Sequence, residues 1–167
     1  ERLSELLGLQ PSIRAPERPA ALDTEGGVGV DFDRVRFCYP ASPERPALDS
    51  VSLRVNPGET VALVGPSGAG KSTIFQLLMR FYDPGGGGIR VNGVDLRHLD
   101  PQRLRACMAV VPQQTIIFSD SAANNIRYGR PEASEAEVRA AAASAQADEF
   151  IAEMPDGYDT FVGERGL

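Results

Sequence analysis

The sequence has little lysine, little histidine and little cysteine: in 167 residues there is one lysine, Lys71, one histidine, His98, and two cysteines, Cys38 and Cys107. The cysteines match neither a CxxC metal pair nor a disulfide framework, so both are expected to be reduced, half-buried strand residues in a cytosolic setting. No run approaches the roughly 20 apolar residues that span a bilayer, and the first residues do not resemble a signal peptide. Membrane attachment is therefore expected to reside in a part outside these residues. A surplus of basic charge is also missing. The net charge of -6 argues against a protein whose main task is to grip nucleic acid or an anionic membrane surface.

What is present is a hydrophobic share of 42%, enough to fill a real core in one domain of ordinary size. Positive charge comes from 16 arginines, so lysine, a compact point charge on a flexible stem, has been kept at one position in a chain that otherwise uses the planar guanidinium. That position lies in a glycine-rich loop.

Along the chain, Leu3, Leu6 and Leu7 share a helical face, which reads as the tail of a helix beginning upstream of Glu1. Pro11, Pro16, Pro19, Gly26, Gly27 and Gly29 with scattered charges mark an extended linker, after which the folded unit is expected to start. Val30, Phe32, Val35 and Phe37 suggest a strand with an irregularity in its middle, and Val51, Leu53 and Val55 alternate as in a half-buried strand. Thr60–Val64 is a short apolar run of the kind buried in a parallel sheet, and Met108–Val111 is read the same way. The period of Ile74, Leu77, Leu78 and Phe81 predicts a helix from about Gly70 to Tyr82. Gly85 to Gly88 reads as a flexible turn, and Asn92-Gly93 as a hairpin turn. Asp100-Pro101 opens a short helix. Ser134 with Glu137 forms a capping box ahead of an alanine-rich helix to about Ala147, with Phe150, Ile151 and Met154 continuing its apolar face.

Gly65-Pro66-Ser67-Gly68-Ala69-Gly70-Lys71-Ser72 satisfies GxxxxGK[ST] between a buried strand and an amphipathic helix, the context the motif requires. Glycines let successive backbone N–H groups face phosphate oxygens, and a helix N-terminus adds partial positive charge in the same direction. Lys71 is placed to reach the β and γ phosphates, Ser72 to offer a hydroxyl to Mg²⁺, and Thr73 to hydrogen-bond an inner phosphate. Many enzyme classes share this loop, so alone it fixes phosphate binding and leaves function open.

The wider sequence GPSGAGKSTIFQLLMRFYDP, preceded by FCYP and ALDSVSLRVNPGETVALVG and followed by VVPQQTIIF, resembles the ATP-binding cassette of exporter-type, subfamily B-like ABC transporters. The resemblance covers residues 30 to 167 and implies an α/β fold, the P-loop NTPase ABC cassette, with a RecA-like core, an antiparallel β subdomain and the start of an α-helical subdomain, incomplete at its C-terminal side. It implies a division into 1–29, the tail of a transmembrane-domain helix and linker; 30–114, the β subdomain and phosphate-loop core; and 115–167, the start of the helical subdomain. Tyr39 matches the family's aromatic that stacks on adenine, and stacking gives affinity without a base-specific hydrogen bond. Gln113 matches the glutamine that contacts Mg²⁺ and the attacking water, a role a neutral amide suits because it can bind and withdraw without a change of charge. Residues around Phe118, and Thr160 to Arg165, resemble the segments that meet the transmembrane domain.

The resemblance implies ATP and Mg²⁺ as cofactors, and a second cassette and a transmembrane domain as partners, with no nucleic acid. It places the site on the cytoplasmic face of a membrane, expected to be a bacterial inner membrane. In the complete protein ATP hydrolysis would drive export. The residues up to Leu167 stop short of the family's signature, its acidic metal-holding residue, its general base and its switch histidine, so this segment alone is expected to hydrolyse ATP negligibly. His98 is read as a surface residue. Two other readings are a soluble ABC-type ATPase of DNA repair or chromosome maintenance, and a degenerate module that binds nucleotide without turnover.

Overall fold

The structure, a computed structural model, describes residues 11–114 and 116–163; the helical reading of 1–10 and residues 164 to 166 of the exporter-like segment lie outside them. The chain divides into two compact units, Glu1–Ala109 and Val110–Leu167.

The first unit is built on an antiparallel sheet of β1 (Val30–Cys38), β2 (Pro46–Val55), β3 (Gly86–Val91) and β4 (Val94–Asp95), in the order β2-β1-β3-β4. The irregularity expected in β1 is a bulge at Arg34, whose φ is 47° and whose N–H donates to the Ser52 hydroxyl. One extra residue resets the alternation of faces, so Phe32, Val35 and Phe37 all reach the core. They join Leu48, Ile89 and Val91 from the sheet, Leu77 from helix α1 (Lys71–Leu78), and Leu96, Leu99 and Leu104 from the 3₁₀ turn Leu96–His98, the segment after it and helix α2 (Pro101–Ala106). Burial of each large apolar side chain contributes about 1.5–3 kcal/mol. The Asn92-Gly93 hairpin forms as expected, with φ of 46° and 80° at its two turn residues. The Asn92 amide also accepts from Gly29 N–H and donates to the carbonyls of Asp23 and Gly27, while Ala20, Leu22 and Val28 pack on the core. The end of the proline- and glycine-rich stretch is thereby strapped onto the sheet.

Several expectations are corrected. Gly85 to Gly88 is no flexible turn: Gly86, Gly87 and Gly88 open β3, and a Cβ on Gly87 would lie 2.3 Å from the Asp33 carbonyl oxygen and 2.4 Å from that of Arg34. Glycine is required there by close backbone approach at the bulge, with φ at +72°. Helix α1 ends at Leu78 rather than Tyr82, because Arg80 adopts φ 53° and turns its guanidinium inward to the Leu99 carbonyl (2.7 Å) and Asp83 (3.1 Å). Arg105 then donates to the carbonyls of Met79 and Arg80 freed at the helix end. Cys107 is exposed beyond α2 and lies in no strand, whereas Cys38 is half-buried in β1. His98 is at the surface as expected.

The largest departure concerns the two apolar runs. Thr60–Val64 and Met108–Val111 form no ladder among the described residues, leaving Val64 88% and Val111 96% exposed. A strand of a parallel sheet owes both its hydrogen bonds and its burial to neighbours distant in sequence, and no described residues supply them here.

In the second unit, β5 (Asp120–Ser121) pairs with β6 (Phe161–Val162), and α3 (Ala122–Arg127), α4 (Glu135–Ser144) and α5 (Asp148–Ala152) close on Ala122, Val138, Ala142 and Ile151. The Ser134–Glu137 capping box is present. The alanine-rich helix is shorter than expected and a separate α5 follows; of its expected apolar face Ile151 is buried and Phe150 exposed.

Gly87→Ala is expected to lower the unfolding free energy by about 2–4 kcal/mol, through strain at positive φ and the carbonyl clash, as measured by urea titration. Gly86→Ala, whose Cβ would meet only Arg36 Cβ at 3.5 Å, should cost about 1 kcal/mol or less. A second prediction concerns pH. Hydrogen bonds from the Arg97 side chain hold the Asp95 carboxyl below its ordinary value of 3.8. A depressed carboxylate stabilises the fold above its unfolded value and loses that contribution as pH falls through the folded value. The stability gap between wild type and Asp95→Asn should therefore be full at neutral pH and close as pH is lowered below about 4.

Candidate functional site

The loop from Gly65 to Gly70 curls around the ammonium of Lys71, which donates to the carbonyls of Gly65 and Pro66, each at 2.7 Å. Gly65, Gly68 and Gly70 take φ of 154°, 80° and 84°, values that let the backbone fold this tightly. The glycines differ in purpose. A Cβ on Gly68 would meet nothing within 4 Å, whereas one on Gly70 would lie 2.6 Å from both the Ala47 carbonyl oxygen and Leu48 Cδ2. Gly68 therefore leaves open space beside the loop, and Gly70 seats the loop hard against the start of β2.

Gly70 is also the N-cap of α1, without a side-chain cap and with no acidic residue in the first turn. The first N–H groups of a helix have no intrahelical acceptor, and together with the helix dipole they favour an anion. Three features thus converge on the α1 N-terminus: uncapped N–H groups, the ammonium of Lys71, and the exposed Ser72 hydroxyl on the first turn. This donor set fits a polyphosphate, and the exposed hydroxyl fits a hard cation beside it.

Tyr39 is brought to the same helix. Its phenol hydrogen-bonds Thr73 Oγ1 at 2.9 Å and donates to Gln76 Oε1 at 2.8 Å. Its ring sits edge-to-face on Phe37 (centroids 4.9 Å, 78°) and Tyr82 (5.5 Å, 88°). Thr73 is buried and Tyr39 half-buried. Gln76 is a site neighbour that sequence reasoning missed. It lies one turn beyond Thr73, but its partner Tyr39 is 37 residues away, and no local period announces such a pair.

Gln113 belongs to the second unit, exposed in an irregular stretch with Gln114. In that unit the Phe118 backbone is held at both its N–H (2.8 Å) and its carbonyl (2.9 Å) by the Asn125 side chain, and its ring stacks on Tyr128 at 4.4 Å. Thr160 is buried, its hydroxyl accepting from Asp156 N–H and its carbonyl from Ala122 N–H, so it supports the neighbouring surface from within. Ile117, Ile126, Phe150, Met154 and Val162 line an apolar cleft of about 550 Å³.

The ABC transporter family model matches residues 48–165. The chain is 52% identical over 83% of its length to the ATP-binding cassette sub-family B member 6 of Rattus norvegicus, of which it spans 16%. Against the ATM1-type heavy metal exporter of Novosphingobium aromaticivorans it is 52% identical over 83% of its length, spanning 22% of that protein. Among solved structures it superposes on a bacterial Atm1-family ABC exporter with ATP bound, with a TM-score of 0.88 and 46% identity over 99% of this chain and 28% of that one. The chain therefore spans a small fraction of the length of the relatives it matches. On its matched residues and its fold, this chain belongs to the ABC transporter family and is an ATP-binding cassette.

Proposed function

We propose that this chain is the nucleotide-gripping part of a membrane exporter: it binds MgATP at the α1 N-terminus, and in the complete protein hydrolysis there drives transport. The observation that carries this reading is the loop wound around Lys71 at an uncapped helix N-terminus. When bound, MgATP supplies the γ-phosphoryl group whose transfer to water releases the free energy of transport.

The chain's own residues have distinct tasks. Backbone N–H groups between Gly65 and Thr73 hold phosphate oxygens, while Pro66, which has no N–H, Ser67, and Ala69, whose N–H donates to the Pro66 carbonyl, shape the loop. Lys71 has donated to two carbonyls and keeps a further ammonium proton for the β and γ phosphates. Ser72 offers its hydroxyl to Mg²⁺, and Thr73 its hydroxyl to an inner phosphate. Tyr39 provides a ring face for adenine, and Gln113 an amide oxygen for Mg²⁺ and the attacking water.

The partners are a second cassette and a transmembrane domain on whose cytoplasmic side the cassette sits, expected in a bacterial inner membrane. Docking of that domain on the second unit is supported by the exposed Phe118, Phe150 and Phe161 and by the apolar cleft that Phe150 lines. Two of the proteins reported above, the heavy metal exporter and the bacterial Atm1-family ABC exporter, are exporters by name, which weighs against a soluble DNA-repair ATPase.

Calorimetric titration of the protein with MgATP tests the grip. Lys71→Ala should weaken binding at least about tenfold, the equivalent of about 1.4 kcal/mol; unchanged affinity would refute the assignment. Tyr39→Ala should remove about 1–3 kcal/mol of stacking and erase any preference for adenine over guanine nucleotides.

A further inference from the structure

The contacts of Tyr39 raise a question of protons. A phenol carries one. Tyr39 donates it to Gln76 Oε1 at 2.8 Å, so at the 2.9 Å contact with Thr73 the phenol oxygen accepts and the Thr73 hydroxyl donates. The single proton of Thr73 is thus committed to Tyr39. A phosphate oxygen is an acceptor only, and can engage the Thr73 hydroxyl as donor only by taking that proton away from the phenol.

We propose that Thr73 and Gln76 form a latch that holds Tyr39 against α1, and that phosphate engagement of the Thr73 hydroxyl opens it and releases the ring to receive a nucleobase. This rests on the phosphate-binding reading of the loop and extends it with a role for Gln76 and an order of events. Closed, the phenol is anchored at two points on α1 and its ring is pinned between Phe37 and Tyr82. Opened, it is tethered to Gln76 alone, a long side chain with several rotatable bonds that can follow a moving ring. Phosphate and base then bind cooperatively, because each does better once the other has displaced the Thr73–Tyr39 bond. A polyphosphate without a base would prepare the base site; a nucleoside without phosphates would find the latch shut.

The two anchors make opposite predictions when removed. Tyr39→Phe keeps the ring and its contacts with Phe37 and Tyr82 but loses the hydroxyl, so neither anchor on α1 holds the ring from the start. Gln76→Leu lets the phenol turn its proton to Thr73, which frees the Thr73 proton for phosphate while the ring stays held. Neither variant should couple the two events, but the first leaves the base site open and the second leaves it shut.

The experiment uses the protein with magnesium tripolyphosphate and adenosine as separate probes. It follows the Tyr39 ring by NMR of tyrosine-labelled protein, its signal assigned by its loss in Tyr39→Phe. In wild type, tripolyphosphate alone should shift the Tyr39 ring signal and raise adenosine affinity at least about fivefold, a coupling of about 1 kcal/mol. In Tyr39→Phe adenosine should bind with the higher affinity whether or not tripolyphosphate is present. In Gln76→Leu it should bind with the lower affinity in both cases, with the ring signal unmoved. Tripolyphosphate that binds in a Lys71-dependent way while leaving the ring signal and adenosine affinity of wild type unchanged would overturn the latch. Tripolyphosphate that does not bind at all would overturn the phosphate-loop reading, and the latch with it.

Discussion

The seating of the phosphate loop on the start of β2 is the constraint on which the site depends. Gly70 approaches the Ala47 carbonyl so closely that no side chain fits between them, and it is at the same time the cap of α1. One backbone contact therefore fixes where the helix begins, and with it the direction of its free N–H groups and the position of Lys71 on its first turn. Leu77 then buries the helix in the same core that Phe32, Val35 and Phe37 build from β1. The β1 bulge serves this arrangement: in a regular strand of the same sequence Val35 and Phe37, at odd offsets from Phe32, would face away from the core, and β1 would not carry Tyr39 to the helix.

The antiparallel sheet thus acts as an anvil for a loop whose approach segment is itself unsupported. Val61 and Val64 lead into the loop as exposed residues in no strand, while after Gly70 the helix buries Thr73 and Leu77. The rigidity of the phosphate site comes from its helix side and from β2. Arginines finish the same job at the other end of α1, where half-buried Arg105 takes up the Met79 and Arg80 carbonyls that a longer helix would have satisfied internally, and buried Arg80 ties the turn to the Leu99 carbonyl.

Signals that reside in a few adjacent residues were legible in the sequence. The phosphate loop, the Asn92-Gly93 hairpin, the Ser134–Glu137 box and the irregular β1 all follow from local spacing and turn chemistry. What could not be read depends on distant partners. Gly85 to Gly88 looks like a turn until the Asp33 and Arg34 carbonyls that it must clear are known. The end of α1 is set by Leu99 and Arg105, and the pairing of Tyr39 with Gln76 by the path of β1, while the apolar run at 60–64 forms no strand because no described residue pairs with it. Gln113 was legible only through a family likeness, since an exposed glutamine in an irregular stretch announces nothing on its own.

The solitary lysine has a practical consequence. Because the chain carries all its other basic charge on guanidinium groups, the ammonium at the phosphate loop is its sole side-chain amine. Reagents that acylate or reductively methylate amines would mark one side chain, and that side chain is already engaged by two carbonyls of its own loop. Its rate of modification becomes a reporter of loop closure that needs no engineered label.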